Sequence, residues 1–114
     1  MNTSITAQGK LIAEHAKKVR SILGKTKGLM FQRKVKNPLI FVFTKEQYVP
    51  LHMWFVFTSI DVLFLDKTKT IVEIKEQFKP WHYYSPKKKA MYVIELQKGT
   101  VQEKSIHVGT KLTF

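Results

Sequence analysis

The sequence predicts a mainly β protein, a compact sandwich or barrel-like single domain with one or two short helices. Three observations point there. Short apolar runs rich in Val, Ile, Leu and Phe recur from residue 39 onward, each closed by a turn signal. The stretch 70–78 alternates with a period near two. Finally, 114 residues with 44% hydrophobic and 12% aromatic content can bury a real core, which argues against disorder despite the charge.

The first element is ambiguous. Ile12, Ala16, Val19 and Leu23 fall at helical spacing, so periodicity alone predicts a helix over 10–24 with Gly24 as its stop. After the turn signal Asn37-Pro38, Leu39 to Phe43 is an apolar strand ending in Thr44. Pro50 precedes a second run, Leu51 to Phe57. Ile60 to Leu65 is a third strand, closed by Asp66-Lys67-Thr68-Lys69. Thr70 to Phe78 then alternates, so a hairpin is expected across 66–69. Lys79-Pro80 ends it. Tyr92 to Leu96 is another short strand. Thr100 to Ser105 reads as one or two helical turns, and Lys111 to Phe114 as a closing strand.

Composition excludes several classes. With no cysteine, there is no disulfide, no thiolate metal site and no Cys nucleophile. Met1 to Lys10 is polar and lacks the pattern of a secretory signal. The longest apolar stretch, Leu51 to Leu65, is shorter than the roughly 20 residues of a spanning helix. His52, Thr58, Ser59 and Asp61 also interrupt it, so no membrane span is expected and the cytoplasm is the expected compartment. The net charge is +12. Residues 1–36 hold nine basic residues and one acid, a net +8, whereas the other 78 residues carry +4.

Several blocks carry a resemblance. In order they are Gly28-Leu29-Met30-Phe31, Leu39-Ile40-Phe41-Val42-Phe43, His52-Met53-Trp54-Phe55-Val56-Phe57, Ile60-Asp61-Val62-Leu63-Phe64-Leu65-Asp66, Phe78-Lys79-Pro80-Trp81, Tyr92-Val93-Ile94-Glu95-Leu96 and Gly99. Their order and spacing resemble the domain of unknown function 192 family, small uncharacterised bacterial and archaeal proteins. The similarity covers essentially the whole chain and is strongest from 28 to 99. Three positions depart from the family pattern. Ser59 stands where the family usually has Pro, Lys69 where its hairpin turn has Gly, and Pro38 where a Gly is frequent. A left-handed Lys69 costs about 1 kcal/mol, which favours a rebuilt turn. The resemblance also opposes the helix over 10–24. It implies extended arms over the first twenty residues, with strands within Lys10 to Val19. A helix then follows from Ser21, its N-cap, to Phe31. The family carries no assigned activity.

No cofactor motif and no metal motif appear: His15, His52, His82 and His107 have no paired spacing. Asp61 and Glu95 each sit between apolar strand residues, where an unpaired charge is costly. Each is either a structural acid or a general base with a raised pKa. His52, Trp54, Lys79, Trp81, His82, Tyr83 and Tyr84 combine flat faces with donors, a set suited to a sugar, a base or a peptide. Lys87-Lys88-Lys89 brings cationic charge near it. The ligand-binding candidates are therefore His52, Trp54, Asp61, Lys79, Trp81, His82 and Glu95. Three functions compete. A non-catalytic binding or accessory module is the first. Nonspecific nucleic-acid binding through a Lys-rich face is the second, since 18 of the 20 cations are Lys. A small hydrolase using Asp61 or Glu95 with His52 is the third. The partner class expected is an anionic ligand or nucleic acid.

Overall fold

The computed structural model describes residues 2–20, 29–30, 37–52 and 58–114. In chain order its elements are β1 (Asn2–Ala7), β2 (Lys10–Arg20), β3 (Leu29–Met30), β4 (Leu39–Gln47), β5 (Leu51–His52), β6 (Ile60–Leu65), β7 (Ile71–Phe78), β8 (Tyr83–Tyr84), β9 (Ala90–Gln97) and α1 (Thr100–Glu103). Six strands make one sheet in the order β1-β2-β4-β9-β6-β7, and three make a second in the order β3-β5-β8. The large sheet curls as a half-barrel. Only β2 and β4 run parallel within it. β6 lies between β7 and β9, and all six of its residues are buried. That explains the apolar run Val62 to Leu65, because a strand covered on both faces has no polar side, and the buried Asp61 interrupts it.

Alternation splits the core in two. Phe43, Leu51, Val62, Phe64, Phe78 and Val93 fill the face toward the small sheet. Ile5, Ile12, Ile40, Leu63, Leu65, Ile94 and Leu96 fill the other, with Val101 of α1 and Leu112.

Residues 10–20 form a strand and not the helix that periodicity predicts. The pairing of β1 with β2 slips twice, between Thr3 and Ile5 and between Ile5 and Thr6. His15 takes a φ of 59°. Each slip adds a residue to β2, which breaks its period of two. Ile12 and Ala16 are buried and Ala13 is half-buried, a spacing that imitates a helical face. The family-based expectation of strands over Lys10 to Val19 therefore holds. The helix from Ser21 to Phe31 fares differently: Leu29 and Met30 form β3, paired with Leu51 and His52, and the rest of that segment lies outside the described residues.

The hairpin across 66–69 forms as expected. Asp66 Oδ1 accepts from the Thr68 N–H (2.9 Å), the Thr68 hydroxyl (2.6 Å) and the Thr70 N–H (3.1 Å). Lys69 does keep the left-handed conformation, at φ 65°. Its side chain supplies the compensation. Nζ lies 4.2 Å from the Phe114 ring centroid and 5.7 Å from that of Tyr92, and it donates to the Phe114 main-chain oxygen at 2.9 Å. Burial, and then the neighbouring Lys18 ammonium, lower the Lys69 pKa.

Lys111 to Phe114 form two isolated bridges instead of a full strand, Thr6↔Thr113 and Thr70↔Lys111. Thr6 and Thr113 exchange two main-chain hydrogen bonds (2.9 and 2.8 Å). On the other side, the Leu112 N–H donates to Lys69 O and the Ile71 N–H to Thr110 O. The segment 110–113 thus ties β1 to the start of β7, the two edges of the large sheet.

Candidate functional site

β5 and β8 bring the aromatic candidates together. Leu51 pairs with Tyr84 and His52 with Tyr83. The His52 and Tyr83 rings lie 4.8 Å apart, tilted by 53°. Leu51 and Tyr84 pack on the core, so Tyr83, one residue on, is turned outward and is 57% exposed. Trp81, also 57% exposed, sits in the tight turn between β7 and β8 at φ 65°. His82 completes that turn: its N–H donates to Lys79 O, and its Nδ1 lies 2.9 Å from Pro80 O. Lys75, Gln77, Phe78, Lys79, His82 and Tyr83 line a shallow cavity of about 240 Å³ there.

The two buried acids lie on opposite faces of the large sheet. Asp61 pairs with Leu96, whereas Glu95 pairs with Val62. Strand alternation therefore places Asp61 on the face of Leu63 and Leu96, and Glu95 on the opposite face with Val62 and Val93. Asp61 Oδ1 accepts from the Gln77 N–H (2.9 Å), and Oδ2 accepts from the N–H groups of Gly99 (3.1 Å) and Val101 (3.0 Å). These hydrogen bonds tie the β7 backbone and the start of α1 to Asp61. Glu95 is buried on the side of the small sheet. Trp54 lies outside the described residues. Among the described residues no group of His, Asp and Glu is arranged to hold a metal, and no helix is long and apolar enough to cross a membrane.

Glu73 is a neighbour of the candidate site that the sequence does not single out. Its Oε1 accepts from the N–H groups of Lys87 and Lys88, both at 2.9 Å, and its Oε2 accepts from the Tyr84 hydroxyl. Burial, then the hydrogen bond and charge of Glu73, push the Tyr84 phenol up to about 12. Alternation over 70–78 puts Glu73 and Glu76 on opposite faces but does not say which of them meets a loop. The signal lies across the fold, in the loop it anchors.

A family model described as "Uncharacterized ACR" matches residues 3–114. The chain belongs to the domain of unknown function 192 family. A relative in this family, an uncharacterised UPF0127 protein of Thermococcus sibiricus, is 31% identical over 109 residues, covering 94% of this chain and 70% of its own. Another from Pyrococcus furiosus is 38% identical over 89 residues, 76% of this chain and 75% of that one. Two solved structures share the fold of this family member. A Novosphingobium aromaticivorans protein of unknown function has a TM-score of 0.78 at 18% identity, over 99% of this chain and 85% of that one. A Sinorhizobium meliloti protein, described as a candidate transcription regulator, has a TM-score of 0.74 at 22% identity, over 96% and 89%.

Proposed function

We propose that this member of the family is a binding module without catalysis of its own, and that its contact surface is the face of His52, Trp81, His82 and Tyr83, with Lys79 beside it. Trp81 carries the reading. A bulky residue in the left-handed region costs about 1–2 kcal/mol. An indole left 57% exposed forgoes much of the burial that would offset that cost. Strain of this kind is kept where surrounding structure holds a side chain out for contact. The cavity beside it is smaller than the roughly 300–1,000 Å³ of enclosed small-molecule sites, which favours an extended partner laid across the surface.

A nucleic-acid face on the N-terminal lysines and a hydrolase both draw less support. Two of the N-terminal lysines are engaged within the fold: Lys10 Nζ donates to Lys104 O, and Lys18 Nζ lies 5.8 Å from the Phe114 ring centroid. A hydrolase using Asp61 would need a carboxylate whose oxygens already serve three backbone donors.

The test is an isotope-edited NMR titration with three probes: a neutral trisaccharide, a short single-stranded oligonucleotide and an acidic peptide. Shifts centred on 79–84 are expected for at least one probe, and Trp81→Ala should weaken that binding about tenfold. Binding unchanged by both Trp81→Ala and His52→Ala, or shifts confined to another face, would overturn the proposal.

A further inference from the structure

We infer that the partner is single-stranded nucleic acid, held along the ribbon formed by residues 47–52 and 83–90. This rests on the contact surface proposed above and extends it into a strip. The pairs Gln47↔Ala90, Leu51↔Tyr84 and His52↔Tyr83 set the two segments side by side and antiparallel. Exposed rings mark both ends. Tyr83 and Trp81 stand at one, and Tyr48, 55% exposed, at the other. Between them come Lys87, Lys88 and Lys89, all exposed.

Glu73 anchors the loop that carries these lysines. It holds the loop through the backbone N–H groups of Lys87 and Lys88, both exposed residues, and not through their ammonium groups. The same carboxylate accepts from the Tyr84 hydroxyl and remains one negative charge beside the lysines. Over residues 73–89 five lysines stand against two acids, Glu73 and Glu76, a net +3. Two of these lysines already lie over rings: Lys75 Nζ is 5.3 Å from the Tyr84 centroid and Lys89 Nζ 5.7 Å from that of Tyr48.

Flat faces flanking cations match a strand of unpaired bases joined by phosphates. Bases stack on the rings, and each phosphate contacted releases counterions. Lysine serves the backbone without reading base edges, so little sequence preference is expected. A duplex keeps its bases stacked on one another and offers the rings nothing. A polyanion without bases engages the lysines alone.

Fluorescence anisotropy with labelled dT12 and rU12, a 12-base-pair duplex and polyglutamate tests this across a salt series. The single strands should bind more tightly than either control. Trp81→Ala and Tyr83→Ala should each weaken them about tenfold. Tyr83→Leu, which keeps apolar bulk without the ring, should do the same. Replacing Lys87, Lys88 and Lys89 together by Gln should lower the slope of log K against log salt by about 2, at roughly 0.7 per phosphate contact. Equal binding of duplex or polyglutamate, or single-strand binding indifferent to the ring variants, would overturn the inference. If the oligonucleotides fail to bind while Trp81→Ala abolishes binding of the trisaccharide or the peptide, this inference falls and the contact surface stands. Oligonucleotide shifts confined to a face away from 79–89 would sink both.

Discussion

Lys69 is a residue whose side chain offsets the backbone conformation it is held in. The turn needs a left-handed φ, which glycine adopts freely and lysine does not. The ammonium, held against the Phe114 ring and main-chain oxygen, supplies contacts glycine lacks. Two substitutions separate these effects. Both Lys69→Ala and Lys69→Gly lose the ammonium, but only Ala retains the backbone cost. Lys69→Ala should therefore be the less stable by about 1 kcal/mol, read as the difference in urea midpoints at equal slope. Equal midpoints would mean that the turn relaxes. The departure from the family's glycine is visible in the sequence. The compensation is not, because the Phe114 ring lies 45 positions away along the chain.

Elements were legible where one turn or one period decides them. Asp66-Lys67-Thr68-Lys69 between an apolar run and an alternating run makes the β6–β7 hairpin readable, since Asp66 closes the turn with its own carboxylate. Burial acts to raise the Asp66 pKa, but the hydrogen bonds from the Thr68 side chain and the Thr70 and Thr68 backbone outweigh it, and the net shift is downward. The sign follows. The folded state holds the ionised form more strongly than the unfolded chain does. The contribution is full above the unfolded value of about 4 and disappears as pH falls through the lower folded one. The stability gap between wild type and Asp66→Asn should therefore be widest above pH 5 and narrow below pH 4, measured by urea unfolding at each pH. A gap independent of pH would contradict this role. β2 was misread by period because its register slips make strand residues imitate a helix, a distortion that only its pairing with β1 reveals. In the candidate site, the gathering of His52, Trp81, His82 and Tyr83 was expected from their aromatic and polar character. The separation of Asp61 from Glu95 was not, since it turns on strand register, which puts neighbours on opposite faces.

At the scale of the whole molecule, the segment 110–113 caps one end of each edge of the large sheet. An open edge presents unpaired N–H and C=O groups to other chains, and here one short segment covers part of both. Thr113→Pro removes the donor that reaches Thr6 O. It should lower stability by about 1–3 kcal/mol and speed amide exchange at Thr6, while exchange at Val62 within β6 changes only as global stability does. Unchanged exchange at Thr6 would show that this contact does not hold β1. The same contact has a consequence for the order of synthesis. Thr6 leaves the ribosome about a hundred residues before Thr113, which at 5–20 residues per second is a wait of roughly 5–20 s. For that interval the nascent β1 has no partner at Thr6 from the closing segment. Until then β1 has only its pairing with β2 to hold it in the sheet.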